Sequence, residues 1–140
     1  MDAQDAELVE LYLQFLRSRE SAPSAWDRLS ELIDEHPDRA FTVLRELIER
    51  ADEGQLDLLG AGPLEEFIGV IADLCNSGDE SLLHELVVLV RQSPRARKTL
   101  QMVWPGVGEE HVWAKLDPFM GSSVNDRHPG RSTGPAGAAD

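Results

Sequence analysis

The sequence predicts an all-α fold, a compact array of seven or eight short antiparallel helices followed by a disordered C-terminal tail. Apolar residues recur every three to four positions through most of the chain, and strand-like alternation is nearly missing. Proline and glycine interrupt this pattern at short intervals, so the helices are expected to have connections of roughly two to six residues. Connections this short place consecutive helices antiparallel.

The first three helices follow from apolar spacing and from the residues at their ends. The second helix is expected to begin near Ser24, whose hydroxyl can accept from free N–H groups, and to end at His36, because the residue before a proline avoids helical angles. Pro37 suits the first turn of the third helix, where no N–H is needed. The first helix is indicated by apolar residues on one helical face: Leu8, Leu11, Tyr12 and Phe15.

Turn residues separate the later helices. Residues 60–63 read Gly-Ala-Gly-Pro and predict a tight corner with glycines at positive φ, after which the proline opens a new helix. Residues 76–78, Asn-Ser-Gly, end that helix, and Asp79 or Ser81 is expected to cap the next one. Ser93 before Pro94 repeats the capping signal, and a last short helix is expected over 109–116.

The end of the chain differs in composition from the rest. Residues 118–140 are rich in Gly, Pro, Ser and Ala, and only Phe119, Met120 and Val124 are larger apolar groups. Such a segment buries too little apolar surface to offset its ordering entropy. We therefore expect a helical domain over residues 1–117 and a flexible tail over residues 118–140.

Composition excludes several function classes. The 13 basic and 26 acidic residues give a net charge of −13, which argues against direct binding to nucleic acid or to an anionic membrane surface. The single cysteine, Cys75, excludes an intramolecular disulfide and a cysteine-built zinc site. No apolar run is long enough to span a bilayer, and the acidic N-terminus does not resemble a secretory signal. A cytoplasmic protein is expected.

Acidic residues are concentrated in one stretch, since residues 51–90 contain no Lys or Arg. We interpret this stretch as a docking surface that steers a basic protein partner, as an inhibitor or immunity-type protein would do. A solvated face that only maintains solubility is the alternative. Large aromatic residues can anchor an interface as well, so the candidate partner-binding residues are Asp52, Glu53, Asp57, Glu65, Glu66, Asp73, Asp79, Glu80, Glu85, Trp104 and Trp113.

No catalytic constellation is evident. Spaced His, Cys and carboxylate ligands for a metal are missing, and no cofactor motif is present. Residues 60–63 do not form a phosphate loop, because no Gly-Lys-Ser/Thr follows and the proline removes an N–H donor. An enzyme or small-ligand site would have to use Glu65 and His84, and a scaffold subunit could dock through Trp104 and Trp113. The basic cluster Arg91, Arg95, Arg97 and Lys98 is interpreted as internal counter-charge to the acidic body.

Residues 58–67 read Leu-Leu-Gly-Ala-Gly-Pro-Leu-Glu-Glu-Phe, and the pairs Val103-Trp104 and Val112-Trp113 follow. In these motifs the chain resembles a bacterial domain family of unknown function with a Gly-Ala-Gly-Pro-Leu-Glu corner, over about residues 24 to 116. The resemblance implies an all-helical fold and implies no activity. The paired helices also resemble HEAT-type repeats, which predicts some HEAT-like stacking.

Overall fold

The computed structural model describes residues 1–121 and 123–128 of the chain. This part is all-helical, with seven α-helices of seven residues or more and no strand, so the predicted array of short helices is confirmed. Two 3-10 turns (Glu53–Gln55 and Asp117–Phe119) and a π-helical segment (Gly60–Leu64) lie between α-helices. In chain order the α-helices are α1 (Ala3–Arg17), α2 (Ala25–Glu35), α3 (Pro37–Arg50), α4 (Leu56–Leu59), α5 (Glu65–Asn76), α6 (Ser81–Gln92), α7 (Pro94–Leu100), α8 (Glu110–Leu116) and α9 (Val124–Arg127).

Helices α1, α2 and α3 pack on one another and bury their apolar stripes. Pro37 begins α3 as its missing N–H predicts, whereas the hydroxyl of Ser24 makes no capping bond to α2. The buried carboxylate of Asp5 in α1 accepts hydrogen bonds from Nε (3.1 Å) and Nη2 (2.8 Å) of Arg39 in α3. This two-point contact fixes the orientation of the two helices as well as their spacing.

Residues 60–63 do not form the predicted corner. They lie in the π-helical segment that joins α4 to α5, and Gly60 has ordinary helical angles (φ −66°, ψ −49°). The reason for glycine here is close approach. A Cβ on Gly60 would lie 2.1 Å from the backbone oxygen of Thr99 in α7, and a Cβ on Gly62 would lie 3.0 Å from Cζ3 of Trp26. Because glycine has no Cβ, the segment can approach the backbone of α7 and the ring of Trp26 this closely.

The second half of the fold is organised by α5 and α6. Ser93 caps α7 as expected, because its Oγ accepts from the N–H of Ala96 at 3.0 Å. At the start of α6, Oδ1 of Asp79 accepts from the N–H of Ser81 at 3.1 Å. Phe67 of α5 is fully buried and stacks on Phe41 of α3, with ring centroids 5.7 Å apart. One continuous core therefore joins both halves.

The predicted tail begins with packed structure, so the boundary at residue 118 is wrong in this fold. Met120 and Val124 are buried, and Arg127 Nη2 of α9 lies 3.2 Å from Asp117 Oδ1. His128 Nε2 lies 3.1 Å from the backbone oxygen of Gln101. A few apolar groups suffice for this packing because a surface of the body is already formed to receive them. The tail predicted over residues 129–140 lies outside the described residues.

Candidate functional site

Two arginines of α7 bind the carbonyl ends of neighbouring helices. Arg95 donates from Nε to the backbone oxygen of Ile48 at 2.8 Å and from Nη2 to the backbone oxygen of Ala51, at the end of α3. Arg97 donates from Nη1 to the backbone oxygen of Val90 at 2.8 Å, near the end of α6. Cations are favoured at these carbonyl ends. The charge of Arg95 also adds to the effect of Lys98 in lowering the pKa of Glu53, so Arg95 is a counter-charge to one acid as well. Arg97 forms no ion pair with a described acid.

Two of the nine acids of the stretch carry an ion pair in the part of the chain that the structure describes. Lys98 Nζ lies 2.9 Å from Glu53 Oε1, and this contact lowers the pKa of Glu53. His111 Nε2 lies 3.2 Å from Glu80 Oε2. Both pairs are largely exposed, so each contributes little to stability. The other seven acids form no ion pair with a basic side chain among the described residues.

Two carboxylates hold the loop that follows α7. Glu65 Oε2 accepts from the backbone N–H of Trp104 at 3.1 Å. Glu109 is 7% exposed, and its Oε1 accepts from the backbone N–H of Gly106 at 2.9 Å and from Nε1 of Trp113 at 3.1 Å. These bonds give both carboxylates a structural task. Trp113 is 2% exposed and is therefore unavailable as a surface anchor, whereas Trp104 is 43% exposed.

The structure does not bring Glu65 and His84 together. Glu65 lies against the loop of Trp104, whereas the exposed His84 of α6 lines a shallow recess with Arg45, Glu85 and Val88. No hydrogen bond or ion pair joins the two residues in the described part of the chain. The geometry that a shared acid–base site requires is therefore missing.

Glu66 is a half-buried carboxylate between α2 and α5. Both of its oxygens lie 2.9 Å from the hydroxyl of Ser30, which donates to them. Burial raises the pKa of Glu66, and the nearby carboxylate of Asp34 raises it further. Glu66 also contributes to raising the pKa of Tyr12, so these two side chains are within electrostatic reach of each other.

The other predicted acids are distributed around the surface. Asp52 and Asp79 lie at helix starts, where Asp52 donates its backbone N–H to Gln55 Oε1 at 3.3 Å. Asp57, Asp73 and Glu85 are exposed, and their carboxylates make no hydrogen bond or ion pair with any described residue. The stretch that is continuous in sequence is thus divided among several neighbourhoods in the fold.

A groove of about 450 Å³ lies between α3 and α6. Three carboxylates line it, those of Glu46, Glu49 and Glu85, and none has an ion pair among the described residues. The one cation of the lining, Arg45, lies over the ring of Phe41 with Cζ 5.6 Å from its centroid. The apolar side of the groove includes Val88, which is 46% exposed. Of these three acids, only Glu85 belongs to the acidic stretch of residues 51–90, because Glu46 and Glu49 lie in α3, before that stretch begins.

A second recess of about 300 Å³ lies between α1, α2 and the π-helical segment that joins α4 to α5. The rings of Tyr12, Phe15 and Trp26 form a row, with centroids 5.3 Å apart for the first pair and 6.4 Å for the second. Trp26 is 41% exposed, and its ring packs against Gly62. Leu58 and Arg19 also line this recess. We name this recess the aromatic pocket.

The aromatic pocket could not be predicted from the sequence, because its aromatic residues have the spacing expected of the buried faces of helices. Tyr12 and Phe15 do belong to the core, and only the contact of Gly62 with Trp26 leaves a recess beside them. The only sequence signal was the second glycine of residues 60–63. No group of three His, Cys, Asp or Glu side chains in the described residues is arranged to hold a metal ion.

Over the described residues, no helix has the length and apolar character needed to cross a bilayer. No curated protein and no solved structure matches the chain. A family model does match it, over residues 15–123, which is well over half of the chain. The matched region includes the Gly-Ala-Gly-Pro-Leu-Glu segment, the groove and most of the aromatic pocket. The chain therefore belongs to a family of unknown function (DUF6869).

Proposed function

We propose that the chain is a non-enzymatic protein-binding module that docks a basic partner through its carboxylates. The proposal depends on one observation, the groove between α3 and α6. It is lined by the exposed Val88 and by Glu46, Glu49 and Glu85, none of which forms an ion pair with a described residue. With Arg45 as the one cation, the lining has two net negative charges. A partner segment with Lys or Arg beside an apolar residue complements this surface in charge and in shape.

Several basic side chains of the chain itself already contact other groups, and this supports the proposal. Arg95 and Arg97 bind helix-end carbonyls, and the guanidinium of Arg45 lies on an aromatic ring. Like charges that are close together repel and lower the stability of the fold. A cation that arrives from outside therefore relieves the repulsion among the uncompensated carboxylates around the groove.

We extend the proposal to the role of an inhibitor or immunity-type protein. An acidic module of this size blocks a basic enzyme or toxin when it covers the basic surface with which that enzyme contacts its own anionic substrate. Long-range attraction speeds the encounter, and desolvation of the groove slows dissociation. We also propose that the protein resides in the cytoplasm.

The test uses a dye-labelled lysine-rich peptide with a central leucine and a matched peptide in which glutamine replaces each lysine. We expect the lysine peptide alone to bind in fluorescence anisotropy, and its affinity to fall as salt rises from about 50 to 300 mM. Neutralising two groove carboxylates, Glu49→Gln with Glu85→Gln, should weaken binding by roughly 2- to 30-fold, because an exposed ion pair contributes about 0.2–1 kcal/mol.

The matched control is Asp57→Asn with Asp73→Asn. It changes the net charge by the same amount at exposed carboxylates outside the groove lining. We expect this variant to retain at least half of the wild-type affinity. Equal weakening by both double variants would place the attraction in the general field of the protein and not in the groove. Failure of the lysine peptide to bind at low salt would refute the docking proposal itself.

A further inference from the structure

Tyr12 contributes a phenol side chain to the lining of the aromatic pocket. Tyr12 is 1% exposed, and its hydroxyl makes no hydrogen bond to any described residue. Burial raises the pKa of Tyr12 well above its ordinary value, so the phenol stays protonated and can donate. A phenol O–H can donate a hydrogen bond to a bound group. Tyr12 lines a recess that a ligand can enter.

A cation lies at the same recess. Arg19 belongs to the connection between α1 and α2, lines the pocket, and makes no ion pair with any described residue. Its Cζ lies 5.5 Å from the ring centroid of Phe15, so the aromatic row supports the guanidinium. Arg19 also acts electrostatically on Tyr12, where it opposes the effect of burial on the pKa. Arg19 and Tyr12 therefore line the same recess.

The remaining surface is apolar and suited to a ring. The row of Tyr12, Phe15 and Trp26 presents aromatic faces and edges, and Leu58 adds an aliphatic surface. The volume of about 300 Å³ is larger than that of an engineered cavity of about 150 Å³ that binds benzene. One aromatic ring with a short polar arm fits this space.

We propose that the aromatic pocket binds a small aromatic monocarboxylate. The ring packs against Phe15 and Trp26, and the carboxylate accepts hydrogen bonds from the guanidinium of Arg19 and the hydroxyl of Tyr12. Charge-assisted hydrogen bonds of this kind are the stronger ones in proteins. The net charge of −13 opposes an anion only weakly at this position, because charges beyond about 10 Å are screened at 0.1 M salt. Glu66 is the acid within reach, and it is already hydrogen-bonded to Ser30.

The test compares 3-phenylpropionate with its neutral amide, 3-phenylpropionamide. Binding is followed in proton–nitrogen NMR spectra through the indole N–H of Trp26, whose signal is identified from its loss in Trp26→Phe. We expect the acid to shift this signal with a Kd below about 1 mM and the amide to bind at least about tenfold more weakly. The affinities of the acid and the amide are both measured on the wild-type protein, and Trp26→Phe serves only to assign the signal.

Two variants then assign the polar contacts. Arg19→Gln should remove the preference for the acid over the amide, and Tyr12→Phe should weaken the binding of the acid by about five- to tenfold. The matched control is Arg17→Gln, which removes an exposed arginine at the end of α1 that does not line the pocket. It should leave the preference intact.

Equal binding of acid and amide would overturn the proposed ligand class. The absence of any shift of the Trp26 signal with either compound at a few millimolar would overturn the site. Loss of the acid preference in Arg17→Gln as well as in Arg19→Gln would show a general charge effect and would also contradict the proposal. None of these outcomes depends on the groove between α3 and α6, so the two proposals are tested independently.

Discussion

Replacement of Gly60 by alanine tests the reason for the glycines in the segment that joins α4 to α5. The added Cβ would lie 2.1 Å from the backbone oxygen of Thr99 and 2.9 Å from Cβ of Met102. Ordinary contacts begin at 3.4 Å, so α4 and α7 would have to separate by more than 1 Å. The obstacle is backbone, which no side-chain rotation can move aside. Core residues on both helices would lose contact as a result.

The expected magnitude follows from two opposing terms. Overpacking of this severity costs about 3 kcal/mol or more, and the better helix propensity of alanine returns about 1 kcal/mol. We therefore expect Gly60→Ala to lower the free energy of unfolding by about 2 kcal/mol or more. Urea denaturation followed by circular dichroism measures the change, with the slope of the transition checked for constancy.

Two other glycines provide the controls. A Cβ on Gly54 would have no heavy atom within 4 Å, so Gly54→Ala should leave stability unchanged or raise it slightly. A Cβ on Gly62 would meet only the outer ring of Trp26, at 3.0 Å, and a ring can shift, so Gly62→Ala should lie between the two. If Gly60→Ala stays within about 0.5 kcal/mol of the wild type, the close-approach explanation is refuted.

Three further predictions follow from single side chains. The pKa of Glu66 is raised in the folded state, so its ionisation destabilises the fold as pH rises from its unfolded to its folded pKa value. Glu66→Gln should therefore raise the free energy of unfolding at pH 7 and lose this advantage under acid conditions. Urea titrations at both pH values measure the difference. Glu109→Ala leaves the N–H groups of Gly106 and Trp113 without an acceptor, and thermal melts should show a loss of about 2 kcal/mol, unlike Glu110→Ala at an exposed neighbour. Burial raises the pKa of Cys75, so its alkylation by iodoacetamide at pH 8 should be slower than that of a free thiol, and a faster rate would contradict the described environment.

The elements that the sequence predicted well are those fixed by local signals. Pro37 and Ser93 begin their helices as expected, because a missing N–H and a capping hydroxyl act within one turn. The spacing of residues 60–63 predicts a corner, whereas Gly60 is needed because of Thr99 in α7 and Gly62 because of Trp26 in α2, both more than thirty residues away in the chain. A contact between distant segments leaves no trace in local spacing.

The candidate site shows the same division. The acids from Asp52 to Glu85 share a stretch of sequence, yet the fold gives Glu53 an ion pair and makes Glu65 hold a loop. Conversely, the groove unites Glu85 with carboxylates of α3 that the stretch did not include. Composition therefore predicted the sign of the surface charge, whereas the grouping of charges required the packing of helices.

The π-helical segment determines which way α5 faces. Before it, α4 packs on α7, and after it, α5 packs on α2, α6 and α8. The wider turn holds an extra residue between two stretches of helix, and each residue of a helix corresponds to about 100° of rotation. Shortening the segment by one residue would turn Glu65 and Phe67 away from their neighbours together. The number of residues between Leu59 and Glu65 thus specifies the architecture as strictly as their chemical nature does.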